Sequence, residues 1–176
     1  MKHWKPAAIA ALWSGALYAA PMPVVASFSI LGDVAQQIGG ERVGVQNLVG
    51  ANQDAHAYNL TSGDIKKIRE ARLVLLNGLG LEKAELQRAV KQSKVASAEA
   101  TAGIKHLAAD EHHHEHGHDH DHDHGEFDPH VWNDPVLMQR YAANVAIALI
   151  KADPAGSRYY QQRFKDYQNV LNQLNN

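Results

Sequence analysis

An α/β lobe, built on a roughly four-stranded parallel sheet flanked by helices, is expected from three observations. Short apolar, β-branched runs alternate with stretches of helical spacing at the pitch of βαβ units. One run, Leu73-Val74-Leu75-Leu76, is apolar without interruption, as strands covered on both faces are. Helix-start signals recur between the runs: Thr61 with Asp64 three residues on, Asp134-Pro135 and Asp153-Pro154.

The first strand is expected over Pro23 to Ile30. Leu31, Val34, Ala35 and Ile38 follow at helical spacing and stop at Gly39-Gly40, a suitable helix end. Val43 to Val49 reads as the second strand. Thr61 opens a helix whose inner face carries Ile65, Ile68 and Ala71, and Leu73 to Leu76 is the third strand, ending at Asn77-Gly78. Glu82 to Val90 is helical, and Lys94 to Ala98 makes a weak fourth strand. After a polar stretch, Asp134-Pro135 starts a helix carried by Val136, Tyr141, Val145 and Leu149. Ala155 to Leu174 forms a further, more polar helix, with Tyr159, Phe164, Tyr167, Leu171 and Leu174 seeking a partner surface.

Residues 1–20 read as a secretory signal. Lys2 and Lys5 precede an apolar run from Ala7 to Ala19, too short for the ~20 residues that span a bilayer. Small residues near Ala19 and Ala20 offer cleavage. An exported, periplasmic protein with no stable membrane insertion after cleavage is therefore expected. The sequence has no cysteine, so any zinc site must use imidazole and carboxylate.

The charge balance of 17 basic against 19 acidic residues gives no field for nucleic acid. Seven of those acids lie between Glu111 and Asp128, where there is no Lys or Arg. The same stretch holds His112, His113, His114, His116, His118, His120, His122 and His124. Residues 101–126 are polar and low in complexity, which predicts a loop that is mobile without metal. Imidazoles alternating with carboxylates are transition-metal donors and orienting groups in one tract. Ordering such a chain costs about 1–2 kcal/mol per fixed residue, so it binds several ions modestly. An internal, Asp-interrupted tract does not resemble a purification tag.

His56 and His130 differ from the tract. Each sits beside apolar or aromatic neighbours, in Asp54-Ala55-His56-Ala57-Tyr58 and Phe127-Asp128-Pro129-His130-Val131-Trp132. Taken singly, either reads more readily as an ordinary loop or partly buried histidine than as a ligand.

Together these segments resemble the zinc-uptake solute-binding proteins, the periplasmic components of metal ABC transporters. Asp54-Ala55-His56-Ala57-Tyr58 is similar to that family's Asp-Pro-His-x-Tyr segment, with Ala for Pro. Thr61-Ser62-Gly63-Asp64 resembles its helix start, Asn77-Gly78-Leu79-Gly80-Leu81-Glu82 its Asn-Gly-x-x-x-Glu turn, and Asp128 to Pro135 its second ligand motif. The resemblance implies two α/β lobes joined by a long helix, with metal in the cleft. It implies that residues 21–152 are the N-terminal lobe, that 153–176 begin the interlobe helix, and that the C-terminal lobe is absent. His56 and His130 are the implied cleft ligands, and the third His and a carboxylate would come from the other lobe. A His-rich loop ahead of the second motif is typical of the zinc members.

The expected function is zinc (Zn2+) capture in the periplasm and delivery to a transporter permease, with the tract as an auxiliary collecting site. The alternative is a periplasmic zinc buffer or chaperone in which the tract itself is the working site. An enzyme is not expected: catalytic zinc needs an open position and an ordered base, and there is no H-E-x-x-H.

Overall fold

The computed structural model describes residues 20–104 and 127–174. Four parallel strands form one sheet in the order β2-β1-β3-β4: β1 Met22–Phe28, β2 Val43–Val49, β3 Leu73–Leu76 and β4 Ala96–Glu99. The helices are α1 Ser29–Gly39, α2 Ser62–Glu70, α3 Ala84–Ser93, α4 Pro135–Ala152 and α5 Ser157–Leu174. Among the described residues no helix is long and apolar enough to cross a membrane.

Both sheet faces are covered, as an all-parallel sheet requires. Val24, Ala26, Phe28, Leu73 and Leu75 point toward α1, α4 and α5, where they meet Leu31, Val34, Ile38, Tyr141, Val145, Leu149 and Tyr160. Val25, Leu48, Val74 and Leu76 point the other way, onto Ile68 of α2 and Leu86 and Val90 of α3. The alternation along β1 and β3 therefore serves two cores, which is why neither strand alternates in polarity.

The start signals act as written. Thr61 accepts from the Asp64 N–H while the Asp64 side chain accepts from the Thr61 N–H, closing a capping box on α2. Asp134 accepts from the N–H groups of Val136 and Leu137, with Pro135 in the first turn of α4. Asp153 accepts from Gly156 and precedes a 3-10 turn, Pro154–Gly156, so α5 starts two residues later than expected.

Three other boundaries shift. The first strand ends at Phe28, and Ser29 and Ile30 already belong to α1, because strand passes into helix without a loop. Glu82 lies outside α3; its carboxylate is engaged with the turn after β3 instead. Lys94 takes a left-handed φ of 58° as the C-cap of α3, which delays β4 to Ala96.

α5 packs on α1 and α4 through buried Tyr160 and Leu171. Arg163 donates to the Gln37 carbonyl, and the Tyr159 hydroxyl accepts from the Glu41 N–H, fixing α5 to the end of α1. At the amino end of the sheet, Asp153 accepts from Arg42 Nη2 at 2.7 Å and from the Tyr160 hydroxyl at 2.6 Å. Val170 and Leu174 remain exposed.

Candidate metal centre

His56 and His130 both lie beyond the carboxyl ends of the strands, where open α/β sheets bind ligands. His56 is in the loop after β2, and His130 precedes α4. The same local device builds both. Asp54 Oδ1 accepts the N–H of His56 at 2.8 Å, and Asp128 Oδ1 accepts the N–H of His130 at 2.9 Å. In each Asp-x-His triplet the aspartate folds its own backbone into a turn and projects the imidazole.

The two rings converge. Their Nε2 atoms stand 3.1 Å apart, with centroids 5.2 Å apart and planes tilted by 52°. Asp128 Oδ1 also lies 2.6 Å from His130 Nδ1. An Nδ1–H donated to that carboxylate leaves the lone pair of the ring at Nε2, the atom that faces His56. The backbone N–H of His130 holds the Asp128 carboxyl below its ordinary range, partial burial opposes this, and the imidazole adds to the lowering. Carboxylate–imidazole pairing of this kind fixes the tautomer of metal-ligating histidines.

Trp132 and Phe28 back the site. The Trp132 ring meets His130 edge-on at 5.2 Å and Phe28 at 4.8 Å, linking the imidazole to the end of β1. On the other side, Tyr58 donates its hydroxyl to Asp64, which joins the His56 loop to the start of α2. Burial pushes the Asp64 carboxyl up, but hydrogen bonds from Thr61, Tyr58 and Lys67 outweigh it and hold the pKa down at about 2. A cavity of ≈170 Å³ lies behind the His56 loop, lined by Ser27, Tyr58, Leu81 and Glu82 among others. Neither imidazole lines it, so the rings meet at an exposed rim and not in an enclosed pocket.

Two nitrogens bound to one ion at ~2.0–2.1 Å would lie ~3.3–3.4 Å apart in a tetrahedral site and ~2.9 Å apart as neighbours in an octahedral one. The observed 3.1 Å falls between, so the spacing fits one shared ion without selecting its geometry. Among the described residues no group of three or more His, Cys, Asp or Glu side chains could hold a metal. His112, His113, His114, His116, His118, His120, His122 and His124 lie outside the described residues.

The sequence motifs contain the two histidines and their supporting residues, but not the hydrogen bonds by which those residues act. Asp54, Asp128, Trp132, Asn77 and Glu82 have no periodic signature. The recurring Asp-x-His triplet and the Asn77-to-Glu82 turn motif are their signs in the sequence.

The family model described as zinc-uptake complex component A, periplasmic, matches residues 24–176. A manganese ABC transporter substrate-binding lipoprotein, PsaA of Streptococcus anginosus, is 31% identical over 153 residues, 87% of this chain and 49% of that protein. The manganese-binding lipoprotein MntA of Halalkalibacterium halodurans is 32% identical over 154 residues, 87% of this chain and 47% of that protein. The chain thus spans about half the length of the curated relatives it matches. Among solved structures, the Mn-bound periplasmic metal binding protein of Candidatus Liberibacter asiaticus superposes with a TM-score of 0.71 at 32% identity, covering 84% of this chain and 52% of that one. Zn(II)-bound AdcA of Streptococcus pneumoniae, with a TM-score of 0.74 at 22% identity over 88% of this chain and 31% of its own, shares the fold. The match over residues 24–176 takes in the sheet, both Asp-x-His turns and α5, and the chain belongs to the family of the periplasmic zinc-uptake component, the metal-binding solute-binding proteins.

Proposed function

We propose that this chain captures a zinc ion between His56 and His130 in the periplasm, for delivery to the membrane permease of an ABC transporter. The observation that supports it is the 3.1 Å approach of two Nε2 atoms, each carried on its own aspartate-closed turn. Two imidazoles supply half of a four-coordinate shell. The other donors come from outside the described residues. The tract from His112 to His124 acts as an auxiliary collector of ions. Zinc is preferred over manganese because both fixed donors are neutral imidazoles, which suit zinc, whereas manganese favours carboxylate, carbonyl and water.

The test is a zinc titration of His56→Ala and His130→Ala in a protein lacking residues 112–124. Each substitution is expected to weaken binding by more than the ~10–100-fold typical of losing a group that merely supports a ligand. Unchanged affinity in both variants would sink the assignment. A parallel manganese titration addresses the metal: binding as tight as zinc removes the preference. The eight histidines of the tract favour a second reading, a metal buffer, which calls for several ions per chain and near-full capacity after both substitutions.

A further inference from the structure

We propose that Asn77 is a positioning residue for His130, setting where that imidazole stands relative to His56; the inference rests on the metal-capture reading above. Asn77 ends β3 and is fully buried. Its Nδ2 donates to the Gly78 carbonyl at 3.0 Å and to the Pro129 carbonyl at 3.1 Å, and its Oδ1 accepts from the Tyr141 hydroxyl at 3.0 Å. Reversing the amide would set its oxygen against two carbonyl oxygens, so chemistry fixes which way it faces. The bond to Gly78 is local to the turn after β3, which the Leu81 N–H and the Glu82 carboxylate also close. The bond to Pro129, 52 residues away in sequence, serves something else.

Pro129 immediately precedes His130. Its carbonyl belongs to the planar peptide unit whose nitrogen is that of His130. Holding this oxygen holds the plane, and with it the Cα from which the imidazole projects. The other end of the unit, the His130 N–H, is bound to Asp128, which also grips ring Nδ1. The ligand is therefore fixed at backbone and ring, and Asn77 ties the backbone of this turn to the end of β3 by a hydrogen bond.

Asn77 is itself held still. Its N–H donates to Glu82 Oε1 at 2.6 Å, and the Gly78 N–H donates to Oε2 at 3.0 Å. The Ser27 hydroxyl reaches the same Oε1 at 2.6 Å, and the Asn77 carbonyl accepts from Thr101 Oγ1 at 2.6 Å. A buried carboxylate thus joins the end of β1 to the end of β3, and a side-chain amide carries that reference to His130. The left-handed residues Gly78, Leu79 and Gly80 bring Glu82 back over the turn.

The test is zinc titration of the protein lacking residues 112–124, with Trp4 and Trp13 replaced by Phe, so that Trp132 emission reports on ions beside His130. Asn77→Asp keeps the shape and removes both donors. It is expected to weaken zinc binding by roughly 10–100-fold. In a His130→Ala background the same substitution is expected to cause no further loss, because its effect passes through His130. Tyr141→Phe removes only the hydroxyl facing Oδ1, and a loss of roughly two- to tenfold is expected. Wild-type affinity in Asn77→Asp, or an equal loss with and without His130, overturns the inference. Should Asn77→Asp lose its helical circular dichroism, Tyr141→Phe decides: unchanged zinc affinity overturns the proposal. If His130→Ala alone binds zinc like the wild type, the capture reading falls and this inference with it. If His130→Ala is weak and Asn77→Asp is not, only the positioning role falls.

Discussion

Replacing Asp64 by Asn should make the protein less stable at neutral pH and flatten its response to acid. The Asp64 side chain is 5% exposed and accepts from Thr61, Tyr58 and Lys67. Burial raises its pKa, the hydrogen bonds lower it further than burial raises it, and the result is about 2 against an ordinary 3.8. At about 1.4 kcal/mol per unit the ionised form contributes roughly 2.5 kcal/mol. A depressed carboxyl pKa gives stability that is fully present above the unfolded value and is lost as pH falls through the folded one. About half should be gone near pH ~3 and most of it by pH ~2. Urea unfolding of wild type and Asp64→Asn at several pH values between ~6 and ~2 measures the gap between them. Asp128 and Asp153, also depressed, act in both proteins and cancel. The gap should shrink from about 2 kcal/mol to a few tenths; a gap of constant size across that range would show that Asp64 is not held ionised by this network.

Gly78→Ala should destabilise by more than about 2 kcal/mol in chemical denaturation, combining a left-handed backbone with a clash: φ is 90°, and a Cβ there would stand 2.5 Å from Thr101 Oγ1. Asp153→Ala strips the buried Tyr160 hydroxyl of the acceptor it meets at 2.6 Å, which should cost roughly 1–3 kcal/mol and lower Tm measurably. Zinc affinity should fall as pH drops below ~6.5, because protons compete for the imidazole nitrogens that the ion needs; a calorimetric titration that stays flat from pH 7.5 to 5.5 would exclude histidine ligation.

What was legible in the chain was whatever local chemistry decides alone. The second and third strands fall where their apolar runs lie, and the caps at Thr61 and Asp134 work as their side chains dictate. Junctions were less legible. Ser29 and Ile30 continue the apolar run of β1, and only the helix winding directly off Phe28 separates them from it. Glu82 has ordinary helical propensity, yet three donors from two other segments draw its carboxylate away. The strand order β2-β1-β3-β4 arises from pairings between segments distant in the chain, and no single segment encodes it. The same division holds at the site. The Asp-x-His triplets could be read locally, whereas the amide that reaches Pro129 depends on two positions 52 apart in the chain coming to one place.

The spacing of the two imidazoles has a consequence for loading. On the proposed role, Nε2 atoms that stand 3.1 Å apart are already near the separation that one shared ion imposes. Each ring rides on a turn closed by its own aspartate, so an arriving ion has little backbone to reorganise. Capture then forfeits little chain freedom, and the grip draws on preorganisation.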